Sequence, residues 1–242
     1  MDECFLFMTR LALGLKQRDL ANRFSVCQST VSCIITSWAN FLTCLLGSAS
    51  IWMSPESFSA HLPTEFKDYA DTKVLVDFTE LRCRSPYSYQ RYSEESSYTF
   101  KVMVGMTPHG TVTSVSALYP GAVSVEEIFL QCGIVALITT DTAIMVDKGL
   151  RVDDLVRSTS WSKDTQIPAW RNMKEDETQI IAKLRGPVER TMHRVKDLKL
   201  FQTVMPLYLS DTIIQLFTVA CLLVNCQHEQ LPAIKVPRRR RK

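Results

Sequence analysis

Asp77 interrupts the β-branched run KVLVDFTEL, residues 73–81, near the middle of what otherwise reads as a strand. Burying a lone carboxylate is costly, so an acid there is either hydrogen-bonded at a sheet edge or bound to a cation. Asp147 follows the apolar AIMV and precedes Lys148 and Gly149. Asp before Lys-Gly is ordinary turn chemistry, and it also presents a carboxylate at the end of a strand, where a metal can be held. Glu189 lies in the basic helical pattern KEDETQIIAKLRGPVERTMHRVKDLKLF, residues 174–201, as a member of an exposed charged face or as a third ligand.

The elements around these acids form an order. After the Asp77 strand, TFKVMVGM and TVTSVSALY flank TPHG, a turn of hairpin length, so an acidic strand opens an antiparallel meander. A helix from Ser124 to Cys132, the strand AIMV and a helical stretch near Asp153 come next. Strands followed by alternating helix and strand predict a mixed α/β sheet flanked by helices. Ligand sites in α/β sheets gather at the carboxyl ends of strands, which is where Asp147 falls. FQTVMPLYLSDTIIQLFTVACLLVNC, residues 201–226, predicts a Ser210-capped helix closing the core.

Ahead of the sheet, residues 3–14 carry apolar side chains at helical spacing, and KQRDLANRFSVCQSTVSCIITSWANFL adds two helices separated by a short break. This outlines a small all-α helix-turn-helix module. Its buried positions are expected at Leu20, Ala21, Phe24, Val26, Val31 and Ile34, with the small Ala21 where two helices cross steeply. Gln28, Ser29, Thr30 and Ser32 would then face outward, as short polar groups able to bond base edges or phosphates. Nearby cations are only Lys16, Arg18 and Arg23, so the phosphate contribution to affinity should be modest, and helices that pack on a neighbour without touching DNA are the competing reading. Residues 1–46 form the helix-turn-helix module, 47–72 a Ser- and Pro-rich linker, 73–228 the sheet domain and 229–242 a basic tail.

A chain of 242 residues, 46% hydrophobic and 22% charged, can bury a full core and is not a disordered protein. The net charge of +3 is slight, and Arg238, Arg239, Arg240, Arg241 and Lys242 concentrate the excess in a tail suited to nuclear import or a polyanion. None of the eight cysteines sits in a Cys-x-x-Cys pair or a disulfide-like framework, which suggests buried free thiols in a reducing compartment. Cys226 and His228 have no second pair at ligand spacing, so no zinc is expected. The N-terminus lacks the basic start of a secretory signal. The strongest apolar run, residues 216–224, is far short of the roughly 20 residues that span a bilayer, so no membrane partner is expected.

VLVDFTEL, VGMTPHG, VDKGL and LRGPVERTMHRVK, with the helix-turn-helix ahead of them, resemble the DDE superfamily endonucleases, the Harbinger-type transposase relatives, over about residues 5–226. The resemblance implies a ribonuclease-H-like fold with its catalytic, metal-holding triad on Asp77, Asp147 and Glu189. It also implies two Mg²⁺ or Mn²⁺ ions, which prefer oxygen ligands, acting in in-line attack on a phosphodiester. Arg185 and Lys196 match the basic positions flanking the family's Glu and would steady phosphate oxygens. On one continuous helix, Glu189 lies about 40° and Lys196 about 20° around from Arg185, so the three share a stripe. DNA is the implied partner, and a separate Myb-like DNA-binding protein or a second copy forming a homodimer is compatible with the family.

Two departures support a second reading, a transposase-derived DNA-binding or interaction protein that keeps the scaffold without turnover. Gly186-Pro187 stands where relatives have Ile-His, and Val125 stands where they often have Asp. Proline is welcome at the first helical position and costs about 3 kcal/mol inside a helix, so a helix starting at Pro187 would remove Arg185 from the stripe.

Overall fold

The computed structural model describes residues 2–47, 62–84, 97–134, 143–146, 169–172, 178–205 and 212–227. The chain divides into two compact units, one made of 1–52, 194–203 and 208–242, the other of 53–193 and 204–207.

The second unit holds the sheet. β1 (Thr72–Arg84), β2 (Ser97–Met106), β3 (Val112–Val115), β5 (Ala143–Val146) and β6 (Ala169–Asn172) lie in the order β3-β2-β1-β5-β6, with β4 (Tyr119–Pro120) paired to β2 beside that path. β1, β2 and β3 are antiparallel neighbours, whereas β5 runs parallel to β1 and β6 parallel to β5. A three-stranded meander continued by parallel strands on the far side of its first strand is the ribonuclease-H-like arrangement expected from the sequence. β5 is covered on both edges, and all four of its side chains are buried, as a short apolar run in a parallel sheet requires.

Helix α4 (Val125–Gln131) closes one face of the sheet. Ser124 caps it, its hydroxyl accepting from the Glu127 N–H at 3.1 Å, and Ile128 and Phe129 pack with Val74, Val76, Met103, Ile144 and Val146. Val125 belongs to the same cluster, half-buried. Helix α5 (Thr178–Asp197) buries Leu184, Val188, Thr191 and Met192, spaced as one helical stripe. A short 3₁₀ helix, Thr64–Tyr69, lies within the segment expected to be a linker and buries Phe66.

The first unit is helical. α1 (Asp2–Leu13), α2 (Gln17–Phe24) and α3 (Gln28–Gly47) share a core with α6 (Lys199–Gln202) and α7 (Ile213–Cys226), centred on Phe7, Leu11, Leu20, Val31, Ile35, Ala39, Leu200, Leu216 and Val219. Arg10, which interrupts the apolar pattern of α1, is only 2% exposed. Its guanidinium donates to the carbonyls of Gly14 and Leu15 and so ties the end of α1 to the start of α2. By length and composition α3 is apolar enough to cross a membrane, yet Val31, Ile34, Ile35, Ala39 and Leu42 are buried in this core.

Three sequence expectations need correction here. Leu20, Ala21, Val31 and Ile34 are buried as expected, but Phe24 is only partly so and Val26 is 36% exposed. The break between α2 and α3 bends at Ser25, φ 54°, and both Ser25 and Val26 direct their N–H groups to the Ala21 carbonyl, which turns Val26 outward. The last helix begins at Ile213 with Thr212, not the expected Ser210, in the N-cap position, and Ser210 itself lies outside the described residues. The cysteines, expected to be buried, divide: Cys83 and Cys221 are buried, whereas Cys27, Cys33, Cys44 and Cys226 are exposed.

Candidate active site

Asp77 sits on the central strand of the sheet, so it is not an edge acid. Its backbone pairs with Val104 of β2, and the residue is half-buried. On the opposite side of β1, the parallel ladder with β5 runs to Val76↔Val146. Asp77 is therefore the first β1 residue beyond that ladder, at the carboxyl end of the paired stretch where α/β sheets place ligands. Asp147 follows Val146 in the sequence and lies outside the described residues, as does the stretch near Asp153.

Glu189 lies on α5, which is continuous through Pro187. The helix does not start at the proline: it runs from Thr178, and Leu184, ahead of the proline, is buried. Arg185 is thus helical, and its Nε lies 3.7 Å from Glu189 Oε1, one turn away, with the two side chains 28% and 64% exposed. Lys196 is exposed in the last turn of the same helix.

Carboxylate oxygens are the donors that Mg²⁺ and Mn²⁺ take, and Asp77 and Glu189 both offer them. Among the described residues, no three His, Cys, Asp or Glu side chains form a metal-sized group, and Asp147 is outside that set.

In the helical unit Gln28, Ser29 and Thr30 are exposed in the first turn of α3, and Ser32 is half-buried. Cys27, which no sequence motif singles out, has a carbonyl that accepts the first helical bond from Val31 at 3.1 Å. Its Sγ lies 3.0 Å from Ser29 Oγ and 2.8 Å from Thr30 Oγ1. Hydrogen bonds from Ser29, then from Thr30, bring the exposed Cys27 thiol down to about 7. The available signal was a capping position followed two and three residues later by hydroxyls.

These features define a ribonuclease-H-like sheet domain with an acidic residue on its central strand, accompanied by a helix-turn-helix unit. Residues 76–225 match the family model described as DDE superfamily endonuclease, and residues 1–48 match the helix-turn-helix of DDE superfamily endonuclease. The chain belongs to the DDE superfamily endonuclease family. No curated protein matches it. Among solved structures it is similar to one described as "Crystal structure of a pre-cleavage Mos1 transpososome", at 9% identity over 93% of this chain and 78% of that one, with a TM-score of 0.25. The strand order β3-β2-β1-β5-β6 defines the ribonuclease-H-like fold.

Proposed function

We propose that this chain is a transposase-like DNA endonuclease in which Asp77, Asp147 and Glu189 hold two divalent cations, Mg²⁺ or Mn²⁺, and cleave or join phosphodiester bonds. The observation that carries the reading is the β1–β5 register, in which Asp77 directly follows Val76, the partner of Val146, and Val146 directly precedes Asp147 in the sequence. When bound, the cations supply an activated water or 3′ hydroxyl and stabilise the leaving oxygen.

The chain's own residues do the rest. Asp77 is fixed by its place in the β1–β2 ladder, and Arg185 orients the Glu189 carboxylate. Arg185 and Lys196 offer donors to phosphate oxygens. Gln28, Ser29, Thr30 and Ser32 contact DNA from the start of α3. Nuclear import through Arg238–Lys242, and a Myb-like protein or a second copy as partner on DNA, belong to the same proposal.

The second reading, a DNA-binding or interaction protein without turnover, draws on two positions. Glu189 is 64% exposed and already paired with Arg185, and Val125 packs in the core where a carboxylate is often found. Nicking of supercoiled DNA by the folded protein separates the two. Nicking that needs Mg²⁺ or Mn²⁺ and stops with EDTA supports the nuclease. DNA binding without any metal-dependent cleavage supports the second reading.

A further inference from the structure

The turn between β2 and β3 grips α5 at the level of Glu189. Thr191 is fully buried, and its Oγ1 donates to the Gly110 carbonyl at 2.7 Å. Gly110 has φ +85°, and a Cβ there would lie 2.8 Å from the Pro187 carbonyl oxygen and 2.8 Å from Thr191 Oγ1, so the turn backbone lies directly against the helix. The turn itself is closed by Thr107 N–H to Thr111 O at 2.9 Å, Gly110 N–H to Thr107 O at 2.8 Å and Thr111 N–H to Thr107 Oγ1 at 3.2 Å.

The grip falls where the helix is weakest. Pro187 has no N–H to offer the carbonyl one turn back, so α5 lacks one internal hydrogen bond just before Glu189. Contacts on Pro187 and Thr191 bracket Glu189 on both sides. The same hairpin strand pairs Val104 with Asp77, so one rigid element references both acids.

We propose that the Thr107–Thr111 turn, through Gly110 and Thr191, is the positioning element of Glu189. This rests on Glu189 being a metal-holding carboxylate, as argued above. Thr191 and Gly110 are positioning residues, since neither reaches substrate in this scheme. The turn replaces, from outside the helix, the restraint that the proline removes.

The test compares the full-length wild type with Thr191→Val and Thr191→Ser by hydrogen–deuterium exchange and by Mn²⁺ titration calorimetry. In Thr191→Val, amides 188–192 should lose at least about tenfold more protection than the α4 and β1 amides, and Mn²⁺ affinity should fall about tenfold or more. Thr191→Ser, which keeps the donor, should restore both. Unchanged exchange at 188–192, or an equal loss of protection across the whole sheet, overturns the positioning role. Absence of Mn²⁺ binding in the wild type overturns the nuclease reading instead, and the exchange comparison still decides whether the turn fixes the helix.

Discussion

Arg185 and Glu189 face one another across a single helical turn, Nε to Oε1 3.7 Å, with Pro187 between them. A break at the proline would have separated them, so the pair shows that the helix carrying the proposed third ligand survives its most hostile residue. Because both side chains reach solvent, the pair should contribute less than about 1 kcal/mol to stability. Arg185→Ala should therefore leave the urea midpoint almost unchanged while lowering metal-dependent nicking. A large drop in the midpoint would mean that the arginine is structural.

Pro187 is expected to be a destabilising residue held in place by its surroundings. Replacing it with alanine restores a helical N–H, and the gain in unfolding free energy should approach the roughly 3 kcal/mol that an interior proline costs, reduced by any new strain. Urea denaturation of Pro187→Ala measures it. A less stable variant would show that the pyrrolidine ring is a packing element.

Gly110 should tolerate no side chain. Alanine there meets both a positive φ and the Pro187 carbonyl, backbone against backbone, and the expected loss is about 2–4 kcal/mol. Thr191→Val leaves the Gly110 carbonyl without its donor and should cost about 1–3 kcal/mol. Denaturation of each variant, compared with a substitution at exposed Glu127, checks both.

Cys27 should be the most reactive thiol near neutrality. Its pKa falls on folding to about 7, so its contribution to stability is complete above the ordinary thiol pKa and gone once the pH drops through about 7. The thiolate is the nucleophile, so alkylation by iodoacetamide should rise through pH 7 and then level off. Cys221, fully buried and pushed up by desolvation, should not react in the native protein. A Cys27 midpoint unmoved by Ser29→Ala and Thr30→Ala would remove the hydroxyls as its cause.

Much of the sheet was legible because its signals are local. β-branched runs mark β1 and β2, Thr-Pro-His-Gly marks their hairpin partner's turn, and Ser124 marks the start of α4. β6 was missed, because Ala-Trp-Arg-Asn after Pro168 carries no alternation of apolar and polar residues, and its parallel pairing with β5 is not a local signal. Asp77 as a central rather than an edge acid depends on β5 arriving parallel beside β1, which a single strand pattern cannot reveal. The outward Val26 depends on the left-handed Ser25, a conformation that sequence rarely announces for serine. The grip of Gly110 on α5 joins residues 81 positions apart and was likewise invisible.

Mn²⁺ titration of the wild type against Asp77→Asn, Asp147→Asn and Glu189→Gln, with each variant shown folded by circular dichroism, bears most directly on the three-carboxylate site. Binding of about two ions by the wild type, weakened at least tenfold by each of the three substitutions, is the expected result. Wild-type binding left intact by all three would place any metal elsewhere and contradict the site.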